Sequence, residues 1–308
     1  MKKTFLLILV LLLALQGAAL AEEKETLTFG SVTVEKDAEI LDMGKRQVYD
    51  WDGFFALLDQ MPNLKQVDMY GTVPNPKILA QLEERYPDVE FGMTLRYGRY
   101  RMRTDDTAFS TLYVGEVDGN RKFSYDEIAM LRICKNLYAL DIGHHPVKKL
   151  DFLYDLPELR VLIVAICDLT DITPIASLKH LEYLEIFHNR IEDISCLSDL
   201  PYLMDLNLVK NNVSDLTPLM NLKSLRRLWI FKCNQADLTY PDADTLARLQ
   251  EALPDCHIDA ESTSTAGGWR KDPHYTVISR MFQTRVYEPF EESNPDNLPP
   301  LLAADTDY

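Results

Sequence analysis

The sequence predicts an α/β solenoid in which short parallel strands line a concave side and helical segments cap the ends. First, leucine recurs every 22 residues, at Leu137, Leu159, Leu181, Leu203 and Leu225. Second, apolar residues at the first, fourth and sixth places of each segment alternate as in a β-strand, and those from the eleventh to the twentieth place favour a loose returning coil. One such unit cannot bury its apolar side alone, so the units must stack on one another.

The ninth place of the five segments carries His145, Cys167, Asn189, Asn211 and Cys233. A buried Asn there can bond backbone groups that are left bare where the chain leaves its strand. With these residues the segments resemble the leucine-rich repeat family, whose pattern is L-x-x-L-x-L-x-x-N/C-x-L. The Asp-x-Thr-Pro runs at 171–175 and 215–219 are similar to the internalin-type 22-residue subclass. This resemblance covers about a third of the chain and implies a secreted bacterial protein with an adhesion or recognition role.

Residues 1–21 read as a signal peptide, because Met1-Lys2-Lys3 precedes an apolar stretch from Phe5 to Leu15 and a small-residue site at Ala19-Leu20-Ala21. The apolar stretch is too short to be retained as a membrane span. We therefore expect a secreted, extracellular protein that is not inserted in a membrane after signal cleavage.

The remaining chain divides into an N-terminal repeat-like module (22–104), a second strand and helix cap (105–136), the repeats (137–238), a helix and strand cap (239–260) and a partly disordered tail (261–308). Residues 52–69 align with 126–142, each reading as a helix that leads into a repeat strand. Residues 79–91 likewise parallel 246–258, each reading as a helix followed by a short strand. We therefore expect a duplicated unit of strand, helix and repeat strand, with both repeat runs ending in the same way.

Composition excludes several functions. The formal net charge of −16 argues against nucleic acid or an anionic membrane as a partner, since phosphate binding needs clustered Lys and Arg. The hydrolase, metalloprotease and nucleotide-binding motifs G-x-S-x-G, H-E-x-x-H, G-x-G-x-x-G and G-x-x-x-x-G-K-[ST] are absent from the sequence. We therefore expect a non-catalytic protein without a cofactor, and mostly buried free thiols for its five cysteines.

The third, fifth and seventh places of each segment point out of the core and line the concave sheet. Several are apolar, and with two eighth-place residues they form the predicted partner-binding surface: Ile163, Ile166, Tyr183, Glu185, Phe187, His188, Asn207, Val209, Arg227, Trp229 and Phe231. An exposed aromatic patch of this kind typically marks an interaction site, so we expect a protein or other macromolecule to bind here. Alternatively, the N-terminal module or the tail covers this face, and the protein is an extracellular scaffold or solute-binding component with its site in the cleft between modules.

Three patterns resemble metal sites, and each has a structural explanation that we favour. His144 and His188 lie two coils apart, about 10 Å at strand spacing, which is too far to share one zinc ion. The recurring Asp171, Asp193, Asp215 and Asp237 are expected to accept hydrogen bonds from backbone N–H groups at their own turns. The run with Glu116, Asp118, Asn120 and Glu127 resembles a calcium loop, but Arg121 stands where that loop needs glycine. The same run also reads as a turn and a helix start in which Ser124 and Glu127 form a capping box.

Overall fold

The computed structural model describes residues 24–98, 100–111, 122–237, 239–261 and 269–297. Within these ranges the chain packs into two compact units. The first comprises the described residues up to Thr72 together with Tyr86–Phe91, and the second comprises Val73–Arg85 and the described residues from Gly92 onward. The signal peptide lies outside the described residues, and the boundaries drawn from the sequence stay predictions.

The described elements are short, as expected for a solenoid. In chain order the strands are β1 (Thr26–Phe29), β2 (Val32–Glu35), β3 (Ile40–Asp42), β4 (Gln66–Asp68), β5 (Glu90–Gly92), β6 (Thr94–Tyr97), β7 (Tyr100–Arg103), β8 (Ala108–Ser110), β9 (Ala139–Asp141), β10 (Val161–Ile163), β11 (Tyr183–Glu185), β12 (Asp205–Asn207), β13 (Arg227–Trp229) and β14 (His257–Asp259). The α-helices are α1 (Trp51–Leu58), α2 (Pro76–Arg85), α3 (Tyr125–Ile128), α4 (Ala243–Ala252) and α5 (Pro273–Thr284). Short 3₁₀ segments follow β9 to β12, at Asp151–Asp155, Thr173–Ser177, Ser195–Leu197 and Thr217–Asn221.

The second unit is built on a parallel sheet that, in the described part of the chain, has seven strands in the order β14-β13-β12-β11-β10-β9-β8. Its register reproduces the repeat, because Leu140 pairs with Leu162, Leu162 with Leu184, Leu184 with Leu206 and Leu206 with Leu228. Each pairing joins residues 22 positions apart. The parallel ladder predicted from the recurring leucines is therefore confirmed.

The interior of this unit is one apolar cluster. The first-place and fourth-place leucines belong to it and are at most 1% exposed: Leu137, Leu140, Leu159, Leu162, Leu181, Leu184, Leu203, Leu206, Leu225 and Leu228. The 3₁₀ segments close each coil from the opposite side, as Ile175, Leu197 and Leu219 show. Burial of these repeated side chains, each contributing about 1.5–3 kcal/mol, is what holds the coils together.

The buried asparagines form the predicted ladder where the chain leaves the sheet. The Asn189 side chain donates to the carbonyls of Val164 and Ile186, both at 2.9 Å, and accepts from the N–H groups of Cys167 at 2.9 Å and Leu169 at 3.1 Å. Asn211 repeats the arrangement one coil later. Each side chain thereby satisfies backbone groups of two adjacent coils that would otherwise be buried without partners.

The residue before each ladder position has a left-handed backbone. His144, Ile166, His188, Lys210 and Lys232 have φ between 52° and 68°. This conformation costs about 1–2 kcal/mol for a residue with a side chain. The N–H groups of the first four donate to the next coil, as from His188 to the Val209 carbonyl at 2.8 Å, so inter-coil bonding helps to offset that cost.

The aspartate column on the outer side is structural, as predicted. The carboxylates of Asp171, Asp193, Asp215 and Asp237 each accept from the backbone N–H two residues ahead, at 2.8–3.0 Å. Hydrogen bonds from the side-chain hydroxyl and from the backbone N–H of the residue two positions ahead together lower the pKa of all four carboxyls. The column therefore shapes the turn that starts each 3₁₀ segment or loop.

The ends of the solenoid are covered by non-repeat elements. At one end, the β6–β7 hairpin contributes Leu95, Tyr97, Tyr100 and Met102 to the common core. There α3 begins at the predicted capping box, in which Ser124 accepts from the Glu127 N–H and Glu127 accepts from the Ser124 N–H. At the other end, α4 leads into β14, which pairs with β13. A helix and a strand therefore follow the last repeat, while the cap at 239–260 stays a prediction.

The order of elements supports the duplication read from the sequence. In the first unit, β3 is followed by α1 and by β4, which pairs with β3 in parallel. In the second unit, β8 is followed by α3 and by β9, which pairs with β8 in parallel. Likewise, α2 precedes β5 as α4 precedes β14. Of the calcium-loop candidates, Glu116, Asp118 and Asn120 lie outside the described residues, while Glu127 caps α3.

All five cysteines lie in the described residues as free thiols. Four are buried, and Cys196 is half-buried. Burial raises the pKa of Cys167, Cys233 and Cys256 to about 12. The expectation of mostly buried free thiols is confirmed, and these thiols lack the thiolate character that nucleophilic chemistry requires.

Candidate functional site

The predicted partner-binding residues do share one face of the sheet, because the 22-residue register stacks equal places of successive coils. The third place carries Tyr183 and Arg227, and the seventh carries Phe187, Val209 and Phe231. The fifth place holds Ile163, Glu185, Asn207 and Trp229, and the eighth holds Ile166 and His188. The sequence therefore predicted their common placement correctly.

The expectation that this face is exposed was wrong. Trp229 is 4% exposed and Phe231 is 1% exposed. Of the eleven predicted residues, His188 is exposed, Ile166 and Arg227 are half-buried, and the other eight are buried. The cause is residues 269–297, here called the C-terminal cover, whose apolar side chains share one buried cluster with the concave residues.

The alternative of self-coverage is thereby supported, and of its two candidates the covering element is the tail. Among the described residues, the buried members of this cluster that lie outside the sheet come from the cover and not from the N-terminal module. They are Trp269, Ile278, Met281, Phe282, Tyr287 and Phe290. The tail was expected to be partly disordered, but its described residues 269–297 contribute to the buried cluster, and Phe290 is 3% exposed.

The cover begins with Trp269, which lies on the seventh-place row. Its ring centroid is 5.4 Å from that of Phe187 and 6.4 Å from that of Phe231, and the residue is fully buried. The neighbouring Val209 belongs to the same cluster. An aromatic anchor seated among aromatic side chains is the arrangement that dominates the energy of protein interfaces.

Helix α5 lays one face on the sheet. Its buried residues His274, Ile278, Met281 and Phe282 recur at helical spacing. The helix starts at Asp272, whose side chain accepts from the His274 N–H at 2.9 Å. Past the end of the helix, the Arg285 carbonyl accepts from the Ala108 N–H of β8 at 3.1 Å. The cap fixes the start of the helix, and the Arg285 bond anchors the chain just past its end to β8.

The chain then returns across the sheet over the second-place residues. The Tyr287 ring lies 5.5 Å from that of Tyr138. The Glu182 carboxylate, 1% exposed as a residue, accepts from the Tyr287 hydroxyl at 3.4 Å and from the Ser293 hydroxyl at 2.7 Å. Phe290 stacks on His274 with centroids 4.0 Å apart. Cover and sheet thus make polar as well as apolar contacts.

A charged network joins the cover to β12 and β13. Nδ1 of His274 is 2.5 Å from Oδ2 of Asp205, and Nε2 is 2.8 Å from Oε2 of Glu292. Arg227 forms a short ion pair with Asp205 and lies 3.5 Å from both Asp272 and Glu292. Burial lowers the pKa of His274, but its bonds to the two carboxylates outweigh burial and Arg227, so the net shift is upward.

Two further carboxylates are buried on the concave face. Asp141 accepts from the Ser110 hydroxyl and the Gly143 N–H, both at 2.9 Å, and Glu185 accepts from the Tyr183 hydroxyl at 3.1 Å. Burial raises the pKa of Asp141 to about 6 and that of Glu185 to about 7. A perturbed carboxyl can signal catalysis, but these two lie two coils apart, about 10 Å at strand spacing, and share no nucleophile among the contacts above.

The sequence predicted coverage by the tail only as an alternative and did not identify the covering residues. Two signals could have found them. The outward face carries more aromatic residues than a water-facing sheet would, and the tail carries an amphipathic helix with matching apolar residues.

The described residues contain no group of three His, Cys, Asp or Glu side chains able to hold a metal ion.

Comparison with known proteins decides the fold together with the sheet. Residues 157–201 match the family model of leucine-rich repeats, in two copies. The fold is a leucine-rich repeat solenoid. The chain matches none of the curated proteins at a significant level. Among the described residues, no helix has the length and apolar character needed to cross a membrane.

Several solved structures are similar to this leucine-rich repeat chain. Internalin C2 of Listeria monocytogenes is 25% identical over 55% of this chain and 62% of that chain, with a TM-score of 0.32. Internalin InlF of the same organism is 16% identical over 82% and 93%, with a TM-score of 0.31. A leucine-rich repeat protein of Leptospira interrogans is 16% identical over 72% and 76%, with a TM-score of 0.32. The chain thus spans 62% of the internalin C2 structure, and TM-scores this low support no conclusion about function.

Proposed function

We propose that this protein is a secreted, non-catalytic binding protein whose concave sheet takes up an apolar segment of a protein partner in place of the C-terminal cover. Leucine-rich repeats generally mediate protein binding, and they generally lack catalytic activity. The combination of a predicted signal peptide with the repeats further supports an extracellular role. The net charge of −16 argues against nucleic acid or an anionic membrane as the partner.

The observation that carries this proposal is the seat of Trp269. A residue outside the repeats is fully buried between Phe187 and Phe231 of the sheet. The concave face therefore already accommodates a chain segment with an aromatic anchor. A partner with similar apolar anchors would use the same face of the sheet, which also includes Ile163, Val209 and Trp229.

Displacing the cover tests the proposal. Met281 is fully buried on the sheet side of α5, whereas Gln283 of the same helix is exposed. Met281→Asp places a charge between cover and sheet and should release the cover, while Gln283→Asp adds the same charge in solvent as the matched control. The probe is a labelled synthetic peptide with the sequence of residues 269–297, added to each full-length variant.

We expect the peptide to bind Met281→Asp at least about tenfold more tightly than it binds the native chain or Gln283→Asp, a difference of about 1.4 kcal/mol. Adding Trp229→Asp to Met281→Asp should abolish that binding. The proposal is wrong if Met281→Asp loses the circular-dichroism signal of the folded repeats, because the cover would then be part of the core. It is equally wrong if the folded variant does not bind the peptide.

The same variants identify the natural partner. A protein from the extracellular medium that is retained by Met281→Asp and lost in the double variant with Trp229→Asp depends on the concave face. Retention that is unchanged by Trp229→Asp would place binding elsewhere on the molecule and would overturn the assignment to this face.

A further inference from the structure

The contacts that hold the start of α5 depend on a proton. Both ring nitrogens of His274 face carboxylate oxygens, those of Asp205 and Glu292. A carboxylate only accepts, so both contacts are hydrogen bonds only when both ring nitrogens carry hydrogen, that is, in the imidazolium form. Neutral His274 keeps one of the two bonds and turns a lone pair towards the other carboxylate.

Other charges around His274 do not replace that proton. Arg227 lies 2.8 Å from Nδ1 and 3.1 Å from Nε2, so it can donate to the ring nitrogen that carries no hydrogen in the neutral form. It cannot accept from the ring, however, and it does not restore the positive charge that neutral His274 has lost. Arg227 is also engaged with Asp205, and Asp272 faces Arg227. Three carboxylates thus surround two cationic side chains. Loss of the imidazolium charge leaves this half-buried network with excess negative charge.

A second set of groups under the cover also favours the closed state in acid. These groups are carboxyls, which are neutral when protonated, whereas His274 is charged when protonated. Asp141 and Glu185 are 2% and 3% exposed, although the fifth place points out of the solenoid core. Asp141 accepts from the Ser110 hydroxyl and the Gly143 N–H, and Glu185 accepts from the Tyr183 hydroxyl. Besides burial, the Asp141 charge raises the pKa of Glu185, whereas the Trp269 side chain lowers it and Arg270 of the cover lowers the pKa of both carboxyls. Both carboxyls therefore gain an unpaired charge in a buried place when they ionise.

The two sets act in the same direction. The raised pKa of His274 means that its stabilisation of the closed state is complete below its ordinary pKa of 6.5 and is lost as the pH rises through the higher value of the folded protein. The raised pKa values of Asp141 and Glu185, about 6 and about 7, mean that the closed state is progressively disfavoured from about pH 4 to above pH 7. Acid therefore closes the cover, and neutral to alkaline pH loosens it.

We propose that the C-terminal cover is a pH-dependent gate on the concave sheet, held shut in acid by the His274 network and loosened as the pH rises past neutrality. The gate gains its role from the proposed function, since it regulates access to the same binding face. Its opening, however, can be measured without any partner.

Hydrogen exchange of the full-length chain at pH 5.5 and pH 8, followed by mass spectrometry, tests the gate. After correction for the intrinsic pH dependence of exchange, protection of residues 273–284 should fall about tenfold or more at pH 8, equivalent to about 1.4 kcal/mol. Protection of the repeat segments 181–189 and 203–211 should exceed that of α5 at both pH values, because the cover opens while the repeats stay folded. Equal protection of α5 at the two pH values, or repeats that exchange as fast as α5 at pH 8, would overturn the proposal.

Variants separate the contributing groups. His274→Gln cannot carry the charge, so α5 should exchange rapidly at both pH values, while His257→Gln, an exposed histidine on β14, should behave as the native chain. Glu185→Gln should reduce the loss of protection at pH 8. A native-like profile in His274→Gln would refute the role of the network.

The two proposals fail separately. If α5 opens with pH but the released face binds no peptide 269–297, the gate stands and the binding function falls. If the peptide binds Met281→Asp while α5 exchange ignores pH, the binding function stands and the gate falls.

Discussion

Replacing Glu185 by glutamine should change the free energy of unfolding more favourably at pH 8 than at pH 5. Burial raises the pKa of Glu185 from its ordinary 4.5 to about 7, so the folded chain holds this proton more tightly than the unfolded chain. The resulting stabilisation of the protonated form is complete below pH 4.5 and is lost as the pH rises through about 7. At 1.36 kcal/mol for each unit of pKa difference, the loss at pH 8 is about 3 kcal/mol.

Glutamine cannot ionise, so the variant escapes this loss. Its amide oxygen can still accept a hydrogen bond from the Tyr183 hydroxyl, which donates to Glu185 at 3.1 Å in the native chain. Its buried N–H₂ group costs about 1 kcal/mol if it finds no partner, but that cost is the same at both pH values. The stability of the variant relative to the native chain should therefore improve by about 2–3 kcal/mol between pH 5 and pH 8.

Urea denaturation followed by circular dichroism at both pH values measures that difference. Glu192→Gln in the same coil is the matched control, because Glu192 is exposed and a surface change of this kind is worth at most about 0.5 kcal/mol. A pH-dependent improvement below about 1 kcal/mol in Glu185→Gln, or one of opposite sign, would show that the carboxylate is not buried as described.

Three further substitutions test the solenoid. Asn189→Ala removes four hydrogen bonds in the ladder and should lower the free energy of unfolding in urea by about 3–4 kcal/mol. Asn221→Ala, at an exposed site, should cost under about 0.5 kcal/mol, and equal costs would contradict the ladder. Leu206→Ala in β12 should cost about 3–4 kcal/mol by calorimetry, and a cost under about 1 would place Leu206 outside the core. Ser124→Ala removes the capping box and should cost about 1 kcal/mol in the same assay, with no loss expected only if the cap does not form.

The repeat was predictable because its signal is local and recurs. A register of 22 residues follows directly from the spacing of Leu162, Leu184 and Leu206, since stacked coils of equal length pair equal places. The role of Asn189 follows from its position at the end of a strand, where backbone groups need partners. Each such inference was checked several times within one sequence, once per coil.

The cover was not predictable in the same way because its contacts occur once. His274 and Asp205 are 69 positions apart, and Ser293 and Glu182 are 111 positions apart. No periodicity links such pairs. The sequence did show that the outward face of the sheet, which includes Trp229, is too apolar for water, which indicates that something covers it. It could not distinguish a covering segment of the same chain from one of another molecule.

The anchoring of α5 also sets how many coils this protein can have. Its start is fixed to Asp205 on β12 through His274, and the Arg285 carbonyl just past its end is fixed to β8. Eleven helical residues measure about 17 Å, and the four strand spacings from β12 to β8 measure about 19 Å. The length of the helix thus matches the distance between its two anchoring strands. Gain or loss of one 22-residue coil between these anchors is the easiest evolutionary change for a solenoid, and it would break either the contact with Asp205 or the contact with β8.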